Sequence, residues 1–286
     1  LAVAIVARIM ILGIRDMAKH EHTNTAPRPL IFGEVLYDCF PDGNRILGGA
    51  PFNVAWHLWG FGLDPLLLSA IGNDAPGRDA AAQAYDHITM DHAAQAVHGH
   101  NIGPLYHGTL AARDSVSRTT LHWLRRELHC PVFVDINLRA PWWRQEEVID
   151  FVRNTAWTKL NEDELYEFVP DNLAVGSAAM YLAKRHHIDN LLVTRGAQGA
   201  LLLHGDTLLN CTAPEVARLI DSVGAGDAFS AVFLLGLARH WVPQRILHNA
   251  TEFAAAICGR RGATVSERKF YDPESVPICP RSNTTR

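Results

Sequence analysis

The feature that most constrains the fold is an alternation of short apolar runs with longer helical stretches, beginning at Leu30. The runs are 30–32 (LIF) before Gly33, 66–68 (LLL) shortly before Gly72, 132–134 (VFV) before Asp135, 191–193 (LLV) before Thr194, and 200–203 (ALLL) before Gly205. Short, wholly apolar segments ending in polar residues or glycine are the pattern of strands buried on both faces of a largely parallel sheet. Between them the pattern predicts helices over 51–59, 117–128, 172–186, 225–239 and 245–258. Alternating strands and helices bury both sheet faces by stacking helices on each side, so the expected class is α/β, a three-layer αβα sandwich. Ligands in such folds sit at the carboxyl ends of the strands. No internal repeat or low-complexity linker divides the chain, so one main domain, 30–286, is expected.

Bulk properties narrow the function. A chain of 286 residues, 48% hydrophobic and 20% charged, is enough for one large core or a core with a small appendage. The net charge of -4 and the lack of a long basic run argue against nucleic acid and for small-molecule partners. Cys39, Cys130, Cys211, Cys258 and Cys279 are scattered without a C-x-x-C pair, which suggests a reducing compartment, hence the cytoplasm. Fifteen histidines include the close pairs His20/His22, His98/His100 and His186/His187, but none has a zinc-type spacing, so solvated or packed histidines are expected. Residues 1–14 are apolar apart from Arg8, too short to span a bilayer, and lack a basic region and a clear cleavage site. Residues 1–29 are therefore expected to be an extension outside the core, and no membrane partner is expected.

The stretch richest in chemistry is DSVGAGDAF at 221–229. Small residues at a helix start let backbone N–H groups approach a ligand, and the helix dipole favours an anion there. Asp227 falls in the first turn, beside that anion position. It is placed to accept a hydroxyl proton while Gly224, Ala225 and Gly226 hold a transferring phosphoryl group. The competing reading, an acidic residue in an ordinary helix cap, stays open on spacing alone. The chain has neither a G-x-x-x-x-G-K-[ST] loop nor a G-x-G-x-x-G after a strand, so P-loop phosphate binding is excluded and dinucleotide binding disfavoured.

The 221–229 stretch resembles the D-[ST]-x-G-A-G-D-x-F signature of the ribokinase-like (PfkB) carbohydrate kinases, and further segments agree with that family in the same order. GEVLYD at 33–38 looks like the first strand end, implying sugar binding by Asp38, although a turn former before Pro41 is the alternative. GGAPFN at 48–53 resembles the di-glycine motif, implying Gly48, Gly49 and Asn53 at the sugar. DINLR at 135–139 matches D-x-N-x-R, implying Asn137 and Arg139 at the substrate pocket. NEDE at 161–164 matches N-x-x-E, implying that Asn161 and Glu164 handle magnesium, if need be through water; a solvated acidic run is the alternative. TRGAQG at 194–199 and RGA at 261–263 look like nucleotide-side loops, implying Thr194, Gly196, Gly199 and Gly262 at the nucleotide, with Asn249 alongside. No role is assigned to Trp56, Trp59 or Trp142-Trp143, which are more often core.

The resemblance runs from about Leu30 to about Ser266 and is strongest to fructokinase-type members. It implies ATP-dependent phosphorylation of a sugar hydroxyl, with ATP, Mg2+ and a monovalent cation such as K+ as cofactors. One section departs from the family. After GND at 72–74 and GRD at 77–79, members usually continue through strands of a small β-lid, whereas here AAAQAYDHI at 80–88 follows at once. The lid is expected to be reduced or absent; its loss would favour a monomer, and the sequence leaves the oligomeric state open. A lid-deficient, weakly active or non-catalytic binding homologue is the rival reading, and a kinase of nucleosides or ketodeoxy sugar acids is a third.

Overall fold

The computed structural model describes residues 3–7, 26–39, 45–71 and 87–272, with the side chains of 3–7, 37–39, 45–46 and 71 left aside. Eleven strands are present among these residues: β1 (Val3–Ala7), β2 (Arg28–Phe32), β3 (Leu36–Cys39), β4 (Arg45–Gly48), β5 (Leu66–Ile71), β6 (Ile102–His107), β7 (Val132–Asp135), β8 (Trp157–Asn161), β9 (Asn190–Thr194), β10 (Ala200–His204) and β11 (Thr207–Cys211). The helices are α1 (Ala50–Gly60), α2 (Met90–Val97), α3 (Ser115–Glu127), α4 (Gln145–Val152), α5 (Glu162–Tyr166), α6 (Val175–His186), α7 (Ala225–Ala238) and α8 (Pro243–Cys258). All five helices expected from the sequence are present, with ends shifted by a few residues.

Nine strands form one sheet in the order β1-β5-β2-β6-β7-β8-β9-β10-β11, while β3 and β4 pair separately. The run from β5 to β9 is parallel, and β1, β10 and β11 join antiparallel at the edges. Successive strand residues face opposite layers. Leu30 and Phe32 of β2 enter one core with Leu121, Phe151 and Leu182 from α3, α4 and α6. Ile31 between them enters the other core with Phe52, Phe233 and Phe253 from α1, α7 and α8. The three-layer sandwich therefore stands as expected. Helix α7 is buried continuously from Ala228 to Gly236 because it lies between the sheet and its neighbours α1 and α8.

Within the parallel part of the sheet, two strands have no counterpart in the apolar runs. β6 reads IGPLYH and is broken by glycine and proline; β8 reads WTKLN and carries a lysine in its middle. Val3–Ala7 lies within the stretch set apart from the core on sequence grounds, yet it pairs along Leu67–Ile71 at the sheet edge. Hydrogen bonding to an otherwise open edge accounts for that placement. Residues 72–86, where the lid shortening is expected, fall outside the described residues. The separate sheet beside the strand ends consists of β3 and β4 alone among the described residues. No helix among the described residues is long and apolar enough to cross a membrane.

Candidate active site

The strand order reverses at β2, which has β5 on one side and β6 on the other. A crevice outside the carboxyl ends of the strands is expected at such a point, and a cavity of about 550 Å3 occupies it. Glu34 reaches it just after β2, Asp135, Asn137 and Arg139 from the end of β7, and Lys159, Asn161 and Glu164 from β8 and its exit. Asn53 of α1 and Asp227 of α7 close the opposite wall. Gly49 permits this approach: its φ is 103°, and a Cβ there would lie 2.7 Å from the Glu34 carbonyl oxygen.

The floor is a saturated ion pair. Lys159 Nζ donates to both oxygens of Asp135 at 2.8 Å, and Tyr106 and Ser230 donate hydroxyl hydrogen bonds to Asp135 Oδ2 at 3.1 and 2.8 Å. A buried charge pair with these extra partners is well compensated. It explains how a lysine sits inside a parallel strand. Gly226 lies directly above, where a Cβ would come within 3.4 Å of Lys159 Nζ.

Asp227 lies in the first turn of α7 and accepts a 2.8 Å hydrogen bond from Asn53 Nδ2. Burial raises its carboxyl above the usual range; the Asn53 hydrogen bond opposes this, the Asp135 charge adds to it, and Lys159 and Arg139 pull it down. Glu34 is 3% exposed, and burial holds its carboxyl up at about 7, against its backbone hydrogen bonds and with a further push from Asp227. Its Oε2 has no hydrogen-bond partner, nor has Asn53 Oδ1.

A second cavity of about 770 Å3 adjoins the first and shares Thr194, Ser222 and Gly226 with it. Its wall is largely apolar, including Pro214, Val216, Phe229 and Ala255. The αL turn at Gly224, φ 80° and ψ -4°, starts α7 between the two cavities. Only a residue without Cβ fits there, because Ala263 packs against it. Asp221 ties the same loop down by accepting N–H bonds from Val223 and Gly262 at 3.0 and 3.2 Å.

Most of the residues singled out from the sequence meet at these cavities. Gly49, Asn53, Asn137, Arg139, Asn161, Glu164, Gly224 and Asp227 line the first, Ala225, Gly196 and Gly199 line the second, and Thr194 and Gly226 line both. Gly48 is buried beside the first cavity without lining it. The Asp38 side chain falls outside what the structure describes. Asn249 is fully buried in α8 and Gly262 donates its N–H to Asp221 Oδ2 at 3.2 Å; neither is among the residues that line these two cavities, and their nucleotide-side roles stay as proposals. The sequence reading missed Glu34 and Lys159. A Gly-Glu step directly after a strand and a lysine two places before Asn161 were the available signals.

Magnesium fits the Asn161–Glu164 pair only through water. Those residues form a capping box: Glu164 N–H donates to Asn161 Oδ1 and Asn161 N–H to Glu164 Oε2, both at 2.8 Å. Glu164 Oε1 also accepts the Leu138 N–H at 2.7 Å. Both carboxylate oxygens are engaged, and magnesium retains much of its water shell. Among the described residues no group of three or more His, Cys, Asp or Glu is placed to hold a metal.

Two cavities that meet at one helix start leave room for two molecules side by side, as group transfer between them requires. The family model described as pfkB family carbohydrate kinase matches residues 109–269, and the chain belongs to that family. A fructokinase of Klebsiella pneumoniae is 28% identical, over 82% of this chain and 92% of the relative. Among solved structures, fructokinase from Vibrio cholerae O395 with fructose, ADP and calcium ion superposes with a TM-score of 0.72 at 22% identity, covering 85% of this chain and 96% of that one. Aminoimidazole riboside kinase from Salmonella enterica, complexed with its riboside and an ATP analog, gives 0.68 at 20%, covering 82% and 94%.

Proposed function

We propose that this carbohydrate kinase transfers the γ-phosphoryl group of ATP to a hydroxyl of a fructose-like sugar, with Asp227 as general base. The observation that carries the reading is the place of Asp227, where a polar and an apolar cavity meet at the first turn of α7. The sugar occupies the polar cavity, with Asn53, Asn137 and Arg139 as hydrogen-bonding partners and Asp38 beside it. The nucleotide occupies the apolar one, along Thr194, Gly196 and Gly199. The acceptor hydroxyl gives its proton to the Asp227 carboxylate as its oxygen bonds the γ-phosphorus. The bond to the bridging oxygen then breaks and ADP leaves. Catalysis of this kind is mostly positioning and charge stabilisation. The N–H groups of Gly224 and Gly226 face the phosphoryl oxygens at the positive end of α7, while the Ala225 N–H is shared with the Ser222 carbonyl at 3.3 Å. Magnesium, held through water by Asn161 and Glu164, would neutralise charge on the phosphates.

A raised Asp227 carboxyl suits a base working near neutral pH. The Klebsiella relative supports fructose as the first sugar to try. A second reading, a lid-deficient homologue with weak sugar coupling, has its own support. The alignment to that relative spans 287 positions while using 82% of this chain, so a sizeable stretch of the relative has no counterpart here. A thin cover admits water to the phosphoryl group. The test measures ADP release with ATP and magnesium, with and without fructose, other sugars, sugar acids and nucleosides. Fructose-dependent release is expected. Release that is the same with and without every acceptor would establish the second reading instead.

A further inference from the structure

We infer that Glu34 reads the acceptor: its Oε2, with Asn53 Oδ1, binds neighbouring hydroxyls of a neutral polyol and sets the cavity against anionic acceptors. This rests on the acceptor assignment proposed above and adds to it a residue that the motif pattern left without a role.

Buried polar atoms in native proteins almost always find a partner. Here two lack one, Glu34 Oε2 and Asn53 Oδ1, on residues each 3% exposed and lining the same cavity. A molecule entering the cavity supplies what they lack. Asn53 Oδ1 can only accept, because the Nδ2 of the same amide is directed to Asp227 at 2.8 Å. Glu34 accepts when ionised and donates when protonated. A hydroxyl gives and takes hydrogen bonds and so serves both, whereas a carboxylate or phosphate offers acceptors alone.

The charge inventory points the same way. Glu34, Asp135, Glu164 and Asp227 line the cavity against Arg139 and Lys159, and the Lys159 ammonium is committed to Asp135. An anionic acceptor would add charge where negative groups already outnumber positive ones. The Glu34 backbone is also fixed in place. Its carbonyl lies under Gly49, and Pro51 packs against Gly33, so the carboxyl is presented from a rigid corner at the end of β2. Preorganised polar groups of this kind discriminate by what they leave unpaired with the wrong ligand.

The experiment compares wild type, Glu34→Gln and Glu34→Ala by calorimetric titration with D-fructose and with gluconate, and by steady-state kinetics. Glu34→Ala should weaken fructose binding and raise its KM by about 10–100-fold, with a much smaller change in kcat. Glu34→Gln, which keeps the shape and a donor, should recover part of that loss. Both variants should bind an ATP analogue as wild type does and shift the fructose-to-gluconate preference toward gluconate by about tenfold. Wild-type fructose affinity in Glu34→Ala overturns the inference. So does a parallel loss of fructose and nucleotide binding in both variants, which would assign Glu34 to the fold. Because binding is read without turnover, the two proposals separate. A wild type that binds fructose and phosphorylates nothing sinks the kinase reading alone, and one that binds no polyol sinks the Glu34 assignment.

Discussion

The two cavities differ in how they are built. The one outside β2, β7 and β8 is walled by carboxylates, amides and a lysine, whereas its neighbour is walled by alanines, Pro214, Val216 and Phe229. A polar wall discriminates by pairing individual hydrogen-bonding groups, so each side chain matters. An apolar wall discriminates by shape, and the energy is spread over many contacts. Thr194, Ser222 and Gly226 belong to both, so the polar and the apolar sites meet along small residues.

Mutations should hit the two halves unequally. The largest effect is expected for Asp227→Asn, which keeps the shape and the Asn53 neighbour but removes the base. Turnover should fall by roughly 10²–10⁴ with the fructose KM close to unchanged. A variant with near wild-type turnover would remove Asp227 from the mechanism. Next, Lys159→Met leaves the buried Asp135 carboxyl without its charged partner. A loss of about 3–5 kcal/mol in denaturant unfolding is expected. If the variant lost less than about 1 kcal/mol, the floor would not be the charge-compensated network described above.

Glu34→Gln tests the cost of an acidic wall. Its folded-state pKa of about 7 lies above the ordinary 4.5, so the folded protein keeps this proton at pH values where the unfolded chain has released it. The group's contribution to stability therefore falls as pH rises from about 4.5 and levels off above 7. Relative to wild type, Glu34→Gln should gain stability across that window, by up to about 3 kcal/mol at pH 8. A stability difference independent of pH would show that Glu34 titrates normally. The smallest effect is expected in the apolar cavity. Ala255→Phe should raise the KM for ATP by about tenfold through lost space, with fructose binding unchanged.

The same contrast governs what could be read in the sequence. Residues whose placement is local were legible. Gly224, Gly226 and Asp227 stand within one turn, and small residues ahead of an apolar helical pattern predict the helix start found at α7. The all-apolar strands at 30–32, 132–134 and 191–193 were legible because both faces of the sheet are covered. Lys159 was not, since its burial depends on Asp135 across the neighbouring strand. Nor was Glu34, whose isolation is visible only once Gly49 and α1 have closed over it. Gly262, set at the nucleotide by the RGA segment, and Asn249 beside it are held by tertiary packing that the sequence does not display, Gly262 against Asp221 and Asn249 inside α8. The lid region and the Asp38 side chain lie outside what the structure describes, so their assignments stay as proposed.

The joint behind the signature loop has a consequence for alignment. Three residues after Asn53, Trp56 Nε1 donates to the Val265 carbonyl at 2.9 Å. The next residue, His57, donates from Nε2 to the Ala263 carbonyl at 2.9 Å, and its Nδ1 lies 3.0 Å from the Tyr271 hydroxyl. Ala263 in turn packs against Gly224. Helix α1 and the loop at Gly224 are thus clamped in one jig, whose tolerance is set by a few short links. In the proposed mechanism, that clamp would hold the attacking oxygen in register with phosphorus. Burial also lowers the His57 pKa to about 4, so the clamp holds the same protonation state, and the same length, throughout the neutral range.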